Sequence, residues 1–389
     1  MYSLLLAIIY LSFICLGLPD SLLGSAWPSM YPEFKIPVSY AGMISMIIAV
    51  GTVVSSLMSN RLSKRFGPGV ITAASVGLTA FAVLGFSFAK TFPVLCALAV
   101  PYGLGAGSVD SSLNNYVALN YKSRHMSWLH CMWGVGTIAG PYAIGYSLSI
   151  GKGWSGGYRA VGILLCAFTL VLVLSIPLWK KNAAETEEIK DGETEEITSF
   201  SALKIKGVKE ALLSFFCYCA LEQTAMLWAS SYMVLHNGIS QNRAAGYESM
   251  FFIGITAGRA INGFLTFKFS DVTMIRAGQV IIAVGIILMF ISSGVYTTLA
   301  GLIIIGLGCA PIYPCVIHST PQKFGKEHSQ ALIGIQMASA YVGICLMPPL
   351  FGIIAQHISV NLLPGYLLVL LVLMALMHES VVRKTVKKP

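Results

Sequence analysis

Charge is what this chain has least of. Only 11% of its 389 residues are Asp, Glu, Lys or Arg, against 56% hydrophobic, and mean hydropathy is +0.75. A soluble domain carries about 25% charged residues, so the composition excludes a water-soluble enzyme and points to a polytopic membrane protein. The net charge of +9 does not indicate nucleic acid, because the basic residues sit in short loops between apolar runs, as the positive-inside rule expects. No Gly-rich phosphate cradle with its Lys is present, which argues against ATP drive. No Ser/His/Asp constellation, metal-binding helix pair or selectivity filter is present either. The nine Cys lie mostly inside apolar runs and lack metal-ligand spacing. Cys217 and Cys219 point to two faces of one helix and read as packing. No metal and no cofactor is expected.

What remains is a row of apolar runs. At about 20 residues per span, they accommodate twelve membrane helices near 3–26, 38–59, 69–89, 92–119, 126–149, 158–179, 208–235, 244–267, 272–293, 297–318, 328–355 and 361–379. The first run continues past signal-peptide length and reads as the first span. Lys and Arg concentrate in alternate loops and at the C-terminal end (Arg61, Lys64 and Arg65; Lys204, Lys206 and Lys209; Arg383, Lys384, Lys387 and Lys388). That asymmetry predicts a multi-pass protein of the cell membrane with both termini in the cytoplasm.

Residues 182–203, containing AAETEEIKDGETEEITS, are acidic and poor in aromatics. They read as a solvated cytoplasmic linker between a bundle at 1–181 and a bundle at 204–389. The two halves repeat at a fixed offset. Leu62 and Phe66 precede the third span, and Leu265 and Phe269 precede the ninth (265 − 62 = 269 − 66 = 203). Gly103-Leu104-Gly105 in span 4 matches Gly306-Leu307-Gly308 in span 10 (306 − 103 = 203). Parallel repeats of this kind are a transporter architecture, with the site at the repeat interface near the midplane.

The rare intramembrane polar residues then carry the functional reading. A carboxylate at the centre of a bilayer opposes insertion by about 2.5–3.5 kcal/mol, so it faces a partner or a polar cavity. Asp110 and Asn114 share a face of span 4, with Ser111 and Asn115 beside it, and Gly103, Gly105 and Gly107 leave room for a neighbouring helix. Asp20 follows Pro19, which can break the first span beside a carboxylate. The repeat maps Asp20 onto Gln223, next to Glu222 (223 − 20 = 203). Glu222 and Asp20 are therefore expected on opposite walls of one cavity. His130, Trp133 and Thr137 share a face of span 5, with Trp133 suited to stacking on a sugar ring. Gln336 maps onto Trp133 (336 − 133 = 203). Asn114, Asn115, Gln223 and Gln336 each donate and accept hydrogen bonds, as a polyol requires. Arg259 in span 8 is expected to snorkel to the interface, with an ion pair to a cavity carboxylate as the alternative. Trp27 is expected as an interface anchor.

Over nearly its whole length the chain resembles the major facilitator superfamily. The segment Asn60-Arg61-Leu62-Ser63-Lys64-Arg65-Phe66-Gly67 is similar to that superfamily's basic loop between spans 2 and 3, without its usual Asp. Within the superfamily the chain resembles the fucose–proton symporter branch and its sugar-transporter relatives. The matching segments are Gly17-Leu18-Pro19-Asp20, Asp110-Ser-Ser-Leu-Asn114, Leu129-His130-x-x-Trp133-Gly134-x-Gly136, Glu222 followed by Trp228, and Gly308-x-Ala310-Pro311-x-Tyr313-Pro314. The resemblance implies an all-α fold of two pseudo-symmetric six-helix bundles, in a monomer working in the lipid bilayer. It implies uptake of a sugar-like small molecule by alternating access, coupled to protons through Asp20, Asp110 and Glu222. Its binding residues would be Asn114, Asn115, His130, Trp133, Gln223, Trp228 and Gln336. Gly136-x-x-x-Gly140-Pro141 also resembles the span-5 signature of drug–proton antiporters, which keeps export of amphiphiles, and a lipid or glycolipid flippase, as alternatives. Span 4 lacks the antiporters' buried Arg.

Overall fold

The computed structural model describes residues 2–120, 123–183, 204–265, 268–291 and 294–385. Among them every regular element is helical. The helices are α1 (Tyr2–Asp20), α2 (Leu22–Glu33), α3 (Tyr40–Phe66), α4 (Pro68–Phe86), α5 (Phe92–Asn120), α6 (Ser123–Ser149) and α7 (Gly153–Ala183). They continue as α8 (Val208–Asn237), α9 (Gln241–Leu265), α10 (Asp271–Phe290), α11 (Val295–Cys309), α12 (Ile312–Phe324), α13 (Lys326–His357) and α14 (Leu363–Thr385). Two spans are each built of two helices in series, α1 with α2 and α11 with α12, so the fourteen helices make the twelve spans expected. The acidic stretch 184–203 lies outside the described residues. The segment 60–66, expected as a loop, is helical instead. It is the end of α3, and Gly67 alone turns the chain into α4 at φ +85°, a backbone angle glycine adopts at no steric cost.

The chain forms two compact units, residues 1–190 with 238–249, and residues 191–237 with 250–389. In the first unit α5 packs along α3 and α4, and α6 along α1. Glycines set the α5 contacts. A methyl at Gly103 would stand 2.1 Å from the Ile48 carbonyl oxygen on α3, and one at Gly105 would stand 2.6 Å from the Ser75 carbonyl oxygen on α4. Hydroxyls stitch the same seam: Ser55 bonds Ser108, and Ser56 donates to the Gly107 carbonyl at 3.0 Å. Without a hydrophobic driving force between helices in lipid, close backbone approach and such bonds supply the association.

The second unit repeats the device. A methyl at Gly306 would meet the Phe251 carbonyl oxygen on α9 at 2.3 Å, and one at Gly308 the Gly278 carbonyl oxygen on α10 at 2.7 Å. Gly51 and Gly254 are also 203 apart (254 − 51), and each abuts the backbone of its own unit's α5 or α11. The offset seen in sequence is therefore a repeat of packing roles.

Gly103→Ala and Gly306→Ala should each destabilise the protein by about 1–3 kcal/mol, as overpacking does, and so lower its apparent melting temperature in detergent. Gly246→Ala, where an added methyl meets nothing, should be near-neutral. Equal melting temperatures for all three would remove the glycines from the account.

Candidate functional site

The first span breaks where the sequence predicts. α1 ends at Asp20, directly after Pro19, and α2 resumes at Leu22. At this break α6 comes close. A methyl at Gly17 would sit 2.1 Å from the Trp133 carbonyl oxygen, and one at Gly136 2.1 Å from the Ile14 carbonyl oxygen. This glycine-on-backbone contact puts the two side chains in reach: the Trp133 indole N–H donates to Asp20 Oδ2 at 2.8 Å. One helical turn apart on α5, Asn114 Nδ2 donates to Asp110 Oδ1 at 2.9 Å. Asp20 also lies within electrostatic range of Asp110. The first unit thus gathers two carboxyl groups, an indole donor and an amide. His130 stacks edge-on to Phe13 with ring centroids 5.8 Å apart. The side chain of Asn115 lies outside the described residues.

In the second unit Glu222 and Arg259 meet at 3.6 Å, each about one-sixth exposed. Arg259 therefore does not snorkel to the interface. A half-buried carboxylate within reach on the neighbouring helix is a better partner than a distant headgroup, because separating the pair would leave a charge unsatisfied. Tyr218 lies within electrostatic range of both and donates to the Cys309 carbonyl at 3.0 Å. Gln223 is half-buried beside Glu222.

Three sequence expectations change their meaning. Trp228 is fully buried, its indole donates to the Pro348 carbonyl at 3.0 Å, and its ring packs against Phe351. It is a core residue of the second unit rather than a ligand-facing one. Thr137 is also fully buried and turns its hydroxyl back onto the Gly134 carbonyl. Trp27 is no interface anchor: it has no exposed surface and donates to the Val38 carbonyl at 2.7 Å. Gln336 is buried and accepts from Thr320 at 2.9 Å, beside a small cavity lined also by Lys323 and His378. All nine cysteines are free, and no metal-ligating cluster occurs among the described residues. One buried carboxylate was not singled out from the sequence. Glu248, on the first turns of α9, has no exposed surface.

The family model described as Major Facilitator Superfamily matches residues 9–247 and 211–389. The chain belongs to the Major Facilitator Superfamily. It is a transporter, not an enzyme. It is 23% identical over 359 residues to the glucose/mannose transporter GlcP of Bacillus subtilis, covering 88% of this chain and 86% of that one. It is 22% identical over 391 residues to bypass of stop codon protein 6 of Saccharomyces cerevisiae, covering 90% of this chain and 77% of that one. Among solved structures, a bacterial homologue of the human lysosomal transporter Spinster, in an inward-facing and unoccupied conformation, superposes with a TM-score of 0.78 at 12% identity over 100% of this chain. That likeness carries the fold alone.

Within this superfamily member the Glu222–Arg259 pair can be tested apart from transport. Arg259→Gln should destabilise the purified protein more than the double variant Arg259→Gln with Glu222→Gln, because the single change strands a charge. A stranded buried charge costs about 3–5 kcal/mol, and a pair this exposed should lie below that. A double variant no more stable than the single one would mean the two charges do not interact.

Proposed function

We propose that this transporter carries a sugar or related polyol into the cell together with a proton, by alternating access of two six-helix halves. The observation that carries the reading is the hydrogen bond from Trp133 to Asp20, in the same unit as the Asp110–Asn114 pair. A carboxyl group that exchanges its partner for a proton or a hydroxyl is what coupling requires, and an indole offers a face for the apolar side of a sugar ring. The printed name of the Bacillus subtilis relative, a glucose/mannose transporter, supports the substrate class. His130, Asn114, Asn115, Gln223 and Gln336 supply further candidate hydroxyl partners, and Glu222 is a reserve proton carrier whose salt bridge to Arg259 would have to open. The exporter reading is weakened because Gly136 and Gly140 have a packing role. Methyls there would strike the Ile14 carbonyl at 2.1 Å and the Leu18 carbonyl at 2.6 Å. The monomer would sit in the cell membrane with both termini in the cytoplasm, as the basic residues indicate.

Coupling follows from charge. An unpaired carboxylate in a water-poor site is costly, so the state that crosses is the neutral acid, with substrate excluding water around it. Protonation and substrate binding then strengthen one another by the same factor. In proteoliposomes with an inward proton gradient, the parent should accumulate glucose, mannose or a related sugar. Asp20→Asn and Asp110→Asn should still exchange labelled sugar across the membrane while losing gradient-driven accumulation. Full accumulation by both variants would reject coupling through these carboxyls. Extrusion of substrate by the parent would favour the exporter.

A further inference from the structure

Glu248 has neither carboxylate oxygen exposed nor hydrogen-bonded among the described residues, and the buried Tyr158 hydroxyl is likewise unpartnered. The two lie within electrostatic range of one another. Both belong to the first unit, into which the first turns of α9 are tied. Ser29 donates to Gln241 Oε1, Gln241 donates to the Pro28 carbonyl, and Ser249 donates to the Ile138 carbonyl at 3.0 Å. Nothing in the proposed coupling through Asp20 and Asp110 uses this carboxyl.

Its position is graded with theirs. α9 and α7 begin, α5 begins and α2 ends at the end of the unit opposite Tyr2. At 1.5 Å per residue, Tyr158 lies about 8 Å in from that end (158 − 153) and Glu248 about 10 Å (248 − 241). Tyr102 lies about 15 Å in (102 − 92), Asp20 about 20 Å (33 − 20) and Asp110 about 27 Å (110 − 92). The two tyrosines share a neighbour. The Phe86 ring is stacked on Tyr158 at 5.4 Å and edge-on to Tyr102 at 6.2 Å. Tyr102 in turn lies within electrostatic range of both Tyr158 and Asp20. The charged groups nearby are otherwise occupied or turned outward. Arg243, on the same helix, is exposed; Arg159 lies over the Phe88 ring at 4.8 Å; Glu33 accepts from Trp154 at 2.6 Å. Tyr142 and Tyr146 of α6 are exposed.

We propose that Glu248 is a second proton-binding site of this transporter, and that the hydroxyls of Tyr158 and Tyr102 connect it to Asp20. A buried carboxylate with no donor would stand as an uncompensated charge, whereas the carboxylic acid carries its own proton and no charge. Water molecules entering between these groups carry the proton across the gaps: each tyrosine oxygen accepts one proton and releases its own to the next water, so no hydroxyl or water is consumed and the net result is one proton moved from Glu248 to Asp20. The residue thus serves as the entry station for the proton that the reading above assigns to Asp20 and Asp110. It rests on that reading for its use, but not for its protonation.

Infrared difference spectra of the purified protein in nanodiscs, between mildly acidic and alkaline buffer and with no sugar present, test it directly. The parent should show a protonated-carboxyl band that is lost in Glu248→Gln and kept in Asp20→Asn and Asp110→Asn. Glu248→Gln preserves shape and neutrality and should fold like the parent. If it does not, the Glu248→Asp variant, which should move that band rather than abolish it, gives the same reading. After an alkaline pH jump, loss of the Asp20 band should be several-fold slower in Tyr158→Phe and Tyr102→Phe. A complete set of carboxyl bands in Glu248→Gln would overturn the site. Parent-like kinetics in both tyrosine variants would overturn the connection. A Glu248 band in a protein whose Asp20→Asn and Asp110→Asn variants transport normally would leave this site standing while the coupling reading fails.

Discussion

A carboxyl group inside a helical bundle needs either a proton or a donor, and at Asp20 the donor is the Trp133 indole. Much of the first unit follows from making that bond. The indole reaches Asp20 only because Gly17 and Gly136 let α1 and α6 touch backbone to backbone. Pro19 directly precedes the carboxyl at the end of α1, where the span is interrupted. The break, the glycine contact and the tryptophan are parts of one arrangement.

The same economy governs the bundle scaffold. Lipid offers helices no hydrophobic reason to associate, so the seams are made of small residues and hydroxyls. Gly103 and Gly105 bring α5 against two neighbours at once, and Gly306 and Gly308 do the same for α11. These seams carry no charge, and the hydroxyls of the α5 seam are hydrogen-bonded within it. The polar groups left over, Asp20, Asp110, Glu222 and Glu248, are then conspicuous, because each has to be offset by a partner, by a proton or by a cargo.

How much of this could be read from the sequence depended on the range of the interaction. The spans, the 203-residue repeat and the role of the span-4 glycines rest on local pattern and were legible. So was the break at Pro19. For Arg259 the sequence left two readings open, the membrane interface and an ion pair, and the fold decides for the pair: Glu222 lies thirty-seven positions away (259 − 222) on another helix, and no local signal ranks the two. Trp228 and Trp27 were misread for a related reason. A tryptophan's spacing does not say whether its indole N–H finds a backbone carbonyl, and both do. Glu248 carried the needed signal, as the one carboxylate within 244–267, but it lies near the start of that span, where a charge is easily taken for a boundary residue. The Trp133–Asp20 bond joins two spans 113 residues apart and required the fold.

The proposed co-transport takes sugar and proton together through the Asp20 and Asp110 carboxyls. Its most direct test is the external pH of a weakly buffered suspension of de-energised cells or vesicles when sugar is added and flows inward down its own gradient. The account predicts that the medium turns alkaline in step with sugar entry, and that the shift disappears in the Asp20→Asn, Asp110→Asn double variant while sugar still enters. Sugar entry with no change in external pH in the parent would contradict it.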